Sequence, residues 1–198
     1  MTLTKALIGS NSLATKGMMV LLGSAFIALA AQVSVPMFPV PMTMQTLAIM
    51  IVGLTFGSRL GAVTLLAYLA EGASGLPVFA HGASTLAFVG PTAGFLAGFV
   101  AMAFLAGLAV EKGIARGFVG TALTAIVLSA FIYIPGVAWA MWIGEVAGLD
   151  AAKWGADSFA SIWKWYMSPF LIGDASKAVI AALVVTGAWK VLDARKAK

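Results

Sequence analysis

Residues 17–58 read GMMVLLGSAFIALAAQVSVPMFPVPMTMQTLAIMIVGLTFGS, without a single Asp, Glu, Lys or Arg. A hydrocarbon core about 30 Å thick is crossed by about 20 apolar residues in a helix. This run therefore supplies two spans, and its proline cluster separates them. The rest of the chain follows suit. Hydrophobic residues make up 62% and charged residues 10% of the sequence, and mean hydropathy is +1.03. A soluble domain carries about 25% charged residues, so the chain reads as an integral membrane protein. Its 198 residues have room for six spans with short loops.

The expected organisation is all-α, a six-transmembrane-helix bundle forming a single integral membrane domain over residues 1–198. The spans fall near 18–35, 44–56, 60–70, 92–110, 118–139 and 169–192. The first is kept as mature structure rather than a signal peptide. Cysteine is absent and there is one histidine, which leaves neither a disulfide framework nor the donors of a structural zinc site.

Small residues at spacing four mark close helix contacts: Ser24 and Ala28, then Gly53, Gly57 and Gly61, then Gly94 and Gly98. Arg59 marks a tight turn between spans two and three. Pro36, Pro39 and Pro41 forbid a continuous helix and favour an extended connection. Thr43, Gln45 and Thr46 follow it, either as an ordinary helix entrance with Thr43 as N-cap or as polar groups of a loop folded over a ligand. Residues 71–82 are Gly- and Pro-rich yet apolar. Irregular backbone at membrane depth is tolerated only beside protein or a water-lined cavity, so a capping loop fits. His81 reads as an ordinary loop histidine. Pro135 and Gly136 bend the far end of span five. Residues 140–168 are more polar and carry Trp142, Trp154, Trp163, Trp165 and Tyr166, as expected at a membrane interface. Ser168 and Pro169 suit the N-cap and first turn of span six.

Span six contains Asp174 and Lys177, three apart and so on one helix face. Ionisable groups in such a segment are costly and mark a functional site with a named partner. Orientation comes from Lys and Arg. With the N-terminus inside, the inner segments hold Lys5, Lys16, Arg59, Lys112, Arg116, Lys190, Arg195, Lys196 and Lys198, and the outer ones only Lys153 and Lys164. Both termini are then cytoplasmic. The proline loop, the Gly-Pro-rich loop and the start of span six share the outer side, which describes an outward-facing pocket with mixed lining. No phosphate-binding loop and no catalytic motif of the common hydrolase or metalloprotease types is present.

Five short motifs occur in order: Pro41-Met42-Thr43-Met44-Gln45-Thr46, Gly57 through Gly61, Gly75-Leu76-Pro77-Val78-Phe79, Gly90-Pro91-Thr92-Ala93-Gly94-Phe95 and Gly173-Asp174-Ala175-Ser176-Lys177. Together, over residues 20 to 192, they resemble the BioY family, the biotin-specific substrate-binding (S) components of energy-coupling-factor transporters. The resemblance implies the six-helix S-component fold with an external biotin pocket, no enzymatic activity and no cofactor of its own. It implies a transmembrane coupling protein and two ATP-binding-cassette ATPases as partners, the ATP being used by the latter. It implies a multi-pass protein of the bacterial cytoplasmic membrane, with no nucleic-acid partner and with homo-oligomers as the arrangement of solitary members. The docking surface carries over to Ser24 and Ala28, although Ala is commoner at the first position.

By chemistry, Asp174 would accept ureido N–H bonds. Lys177 would meet the ureido carbonyl or the valerate carboxylate. Thr43 and Gln45 would close the site, and Phe79 would pack the ring system. Gly90 and Thr92 would complete the substrate-binding set. Two other readings are carried: a proton-coupled or solitary secondary vitamin transporter with Asp174 as relay, and an intramembrane enzyme using His81, Asp174 and Ser176.

Overall fold

A computed structural model describes residues 2–4, 12–149 and 151–196; Lys5, Asp150 and Lys198 lie outside them. Helix α1 runs Leu13–Gln32 and starts where the Ser12 hydroxyl accepts from the Thr15 amide at 3.1 Å. It ends earlier than expected, because Pro36 excludes helix and Ser34–Val35 instead form strand β1. Strand β2, Met42–Thr43, pairs antiparallel with it, Ser34 opposite Thr43. The proline loop is thus the tip of a small hairpin.

Helices α2 (Gln45–Phe56) and α3 (Ser58–Ala73) follow. At 12 residues, α2 extends about 18 Å, less than a bilayer core. Gly57 joins them at φ 89°, a left-handed conformation that a β-carbon would strain. The turn nests against α4 (Ala93–Glu111), where Gly107 lies so close to Gly57 and Ser58 that a Cβ would meet their backbone. Glu111 completes the joint: Oε1 accepts from the Ser58 amide at 2.9 Å and Oε2 from its hydroxyl at 2.8 Å. A carboxylate there satisfies an orphan donor of α3 and complements its dipole.

Helix α5 (Phe118–Phe131) passes into α6 (Tyr133–Ala138), which contains Pro135. Gly94 and Gly98 of α4 let Pro135 approach directly, so that face is realised as a helix contact. The apolar helix continues through a wide turn at Trp139–Ile143 as far as Val146. Short helical turns occupy the stretch to Met167, with Trp142, Trp163 and Trp165 exposed.

The last helix, α7, is Leu171–Lys196. The expected Ser168 cap is corrected. The Ser168 amide donates back to the Trp163 carbonyl at 2.8 Å, and the Phe170 carbonyl takes the Asp174 amide at 2.8 Å. The preceding helical turns run straight into Ser168, so α7 starts at Leu171.

Among the described residues, α1, α4, the α5–α6 stretch and α7 are long and apolar enough to cross a membrane, while α2 is a shorter apolar helix. Helix α4 packs on α2, α3 and α6; α7 packs on α5 and α2; α1 packs on α3. The core between them centres on Ile49, Met50, Leu65, Tyr68, Met102 and Ala178. Outward faces remain apolar, for example Leu21 and Leu29 on α1 and Leu183 and Val184 on α7. Helices apolar on both faces suit burial in lipid.

Candidate substrate-binding site

A cavity of about 390 Å³ opens at the end of the bundle that carries the hairpin. Residues 39–43 of the hairpin, the start of α2, residues 79–92 and the first turns of α4 form its upper walls. Ile132, Tyr133, Tyr166, Phe170, Asp174 and Lys177 complete it. The convergence of the two loops and the last helix is therefore real, and its cause is topological. The two loops are broken by Pro and Gly, and α7 begins just after Pro169, at the same end of the bundle.

The polar floor lies on α7 and its neighbours. Asp174 and Lys177 have side-chain exposures of 13% and 7% and stand 3.3 Å apart. Lys177 Nζ also donates to Thr46 Oγ1 at 3.1 Å. The Tyr133 hydroxyl donates to Asp174 Oδ2 at 2.5 Å. A carboxylate accepts about four hydrogen bonds and an ammonium donates three. The floor thus keeps acceptor sites on Asp174 and one donor on Lys177 for a ligand. Exchanging hydrogen bonds with a polar ligand there costs less than desolvating a lone charge.

The Gln45 side chain is 4% exposed and is oriented by its partners. The Tyr68 hydroxyl donates to the Val78 carbonyl at 2.8 Å, so it accepts from Gln45, and the nitrogen of the amide, Nε2, faces it at 2.7 Å. Thr43 Oγ1 accepts from the backbone N–H of Gln45 at 3.1 Å. Thr43 is not the N-cap expected of it: Met44 holds the cap position, and Thr43, one residue earlier, accepts from the first helical amide and lines the cavity. Thr92 and Gly90 also line it. The Gly90 carbonyl is held by Trp139 Nε1 at 2.9 Å. Phe79 reaches the wall but is 2% exposed. Its ring stands edge-on to Tyr68 at 5.2 Å and to Phe88 at 5.4 Å, so it mainly supports the wall from behind.

His81 lines the cavity as an exposed residue at φ 57°. Ser176 is exposed and donates to the Ile172 carbonyl at 2.9 Å, so it makes no nucleophile–base pair with His81. Burial raises the Tyr166 phenol above its ordinary value; it is a neutral hydroxyl here, donating to the Trp154 carbonyl at 3.0 Å. Among the described residues no three His, Asp or Glu side chains gather to hold a metal.

Ser24 requires a correction. It is 1% exposed, and its hydroxyl donates to Glu71 Oε2 on α3. A side chain buried in the isolated chain cannot form a docking surface; Ser24 ties α1 to α3. Ala28 is partly exposed. Sequence reasoning overlooked Tyr133, which supplies the second partner of Asp174, and Tyr68, which fixes Gln45. An aromatic in an apolar segment carries no mark that separates a core residue from a site residue.

A model of the BioY family matches residues 4–194. The chain is 37% identical over 174 residues to the "Biotin transporter BioY" of Rhodobacter capsulatus, covering 83% of this chain and 87% of that protein. It is 38% identical over 157 residues to the protein of the same name from Rhizobium etli, covering 77% and 79%. The fold is similar to the crystal structure of the S-component for biotin from an ECF-type ABC transporter, with a TM-score of 0.66 and 22% identity over 91% of this chain and 95% of that one. The bundle is therefore of the S-component type, and the chain belongs to the BioY family.

Proposed function

We propose that the protein captures biotin in this cavity as the S component of an energy-coupling-factor transporter. The observation that carries the reading is the Asp174–Lys177–Thr46–Tyr133 floor inside a largely apolar chamber. Biotin has the matching chemistry: a ureido group with two N–H donors and one carbonyl, an apolar ring system and a terminal carboxylate. Asp174 accepts from the ureido N–H groups. Lys177 donates to the ureido carbonyl or to the carboxylate. Thr43 and Gln45 close the site at its upper wall, where Gly90 and Thr92 also lie, and Phe79 braces that wall. The relatives named as biotin transporters support this assignment.

The protein lies in the cytoplasmic membrane of a bacterium with both termini inside, and the cavity faces out. A transmembrane coupling protein and two ABC ATPases complete the transporter. The exposed residues Leu22, Ala25, Phe26 and Leu29 of α1, with Ala28 at their edge, offer the coupling protein an apolar face. The protein itself catalyses no reaction and needs no cofactor. Each Asp174 oxygen accepts one hydrogen bond within the protein and keeps a further acceptor site, which suits a binding role. Calorimetry of the purified protein tests the reading: biotin binds, while thiamine and riboflavin do not. Equal binding of all three, or of none, would remove biotin capture.

A further inference from the structure

Gln32 is the last residue of α1 and is exposed, yet both ends of its amide are engaged. Nε2 donates to the Phe79 carbonyl at 3.0 Å and to the Ala28 carbonyl at 3.2 Å. Oε1 accepts from the Gly82 amide at 3.1 Å. Phe79 and Gly82 lie 47 and 50 positions away along the chain. They also fix which way the side-chain amide points, since a carbonyl only accepts and an N–H only donates.

The residues it grips form a tight turn. The Gly82 amide is shared with the Phe79 carbonyl at 3.1 Å, the Phe79 amide donates to Ala83 at 3.0 Å, and His81 sits at φ 57°, ψ 28°. A non-glycine residue in that region persists only where its surroundings hold it. Phe79, Ala80, His81 and Ala83 line the cavity. The hairpin that forms the neighbouring wall leaves α1 directly after Gln32, and Met44 closes back on the Val33 carbonyl at 3.0 Å. The end of α1 thus continues into one wall through the chain and is tied to the other by the Gln32 side chain.

We infer that Gln32 is a positioning residue that latches the 79–83 turn to α1 and thereby sets how long a ligand stays in the cavity. It acts through the backbone of Phe79 and Gly82 and does not itself line the cavity. The inference rests on the cavity being the biotin site. Opening the turn lets ligand out without dismantling the floor on α7, so a weakened latch raises the dissociation rate and leaves capture largely intact. Most affinity changes within one interface appear in dissociation in this way.

The test uses the full chain in detergent, loaded with radiolabelled biotin and chased with unlabelled biotin. Gln32→Leu removes both contacts; Gln32→Glu keeps an acceptor for Gly82 but turns a second acceptor toward the Phe79 carbonyl. Both are expected to release biotin about tenfold faster, with association changed by less than about threefold and the ligand-free melting temperature held. Amide exchange at Phe79 and Ala83 in ligand-free protein gives a second readout, expected to quicken in Gln32→Leu. Unchanged release and unchanged exchange in both variants would overturn the latch. A parallel loss of melting temperature would overturn it too, assigning Gln32 to bundle stability. Failure of the parent protein to bind biotin, with exchange still quickened by Gln32→Leu, would sink the site assignment and leave the mechanical link standing.

Discussion

Replacing Asp174 by Asn keeps the shape of the side chain and removes its charge. In the structure the carboxylate holds two partners, the Tyr133 hydroxyl at 2.5 Å and Lys177 Nζ at 3.3 Å. The Asn carbonyl oxygen can keep one of them. Lys177 still has Thr46 at 3.1 Å, so the ammonium is not abandoned and the bundle should lose only about 1–3 kcal/mol of stability. Binding suffers differently. A hydrogen bond to a charged group is worth about 1.5–3 kcal/mol, and the ureido N–H donors would face an amide that itself donates on one side. Affinity should therefore fall roughly 10- to 150-fold. Titration calorimetry of purified variant and parent measures this, with a melting curve of each in the absence of biotin as control. An affinity within about twofold of the parent, alongside a lowered melting temperature, would refute the reasoning. Asp174 would then serve only to hold Lys177.

Other expectations can be checked with equally simple variants. Lys177→Met should lower biotin affinity by a similar factor, since it removes the ammonium donor that the floor offers a ligand; normal affinity would take Lys177 out of the site. Gly107→Val should lower the melting temperature at a cost of about 1–3 kcal/mol, because its β-carbon would run into the backbone of Gly57 and Ser58; a melting curve equal to the parent's would contradict that contact. The chain has no cysteine, so single cysteines report topology cleanly. Leu76→Cys in the exposed loop should react with an impermeant maleimide on intact cells and Lys112→Cys should not; the opposite pattern would reverse the proposed orientation.

The sequence carried the fold well where physics is one-dimensional. A charge-free run, three prolines and the scarcity of charges fix membrane segments and their breaks without knowledge of the neighbours. Asp174 and Lys177 were legible for the same reason, because a charge in an apolar helix is conspicuous and spacing three puts the pair on one face. The partners were not legible. Tyr133 meets Asp174 across 41 positions and Ser24 meets Glu71 across 47, and only the packing of helices decides such pairings. Spacing four between Ser24 and Ala28 signals a close contact but not its direction, and the contact of Ser24 proves to be internal. Gln32 was invisible because a polar residue at a helix end is unremarkable until its backbone partners are known. Ser168 misled because a good capping residue followed by Pro looks like a helix start, whereas the preceding turns run on as far as Ser168 and leave α7 to begin at Leu171.

The central claim is that biotin sits in the cavity on the floor made by α7. An experimental structure of the protein with biotin tests it most directly. The account predicts biotin enclosed by the hairpin and the 79–92 segment, with a polar atom about 2.7–3.2 Å from Asp174 or Lys177. Biotin bound elsewhere, or bound in the cavity with the Asp174–Lys177 pair untouched, would contradict it.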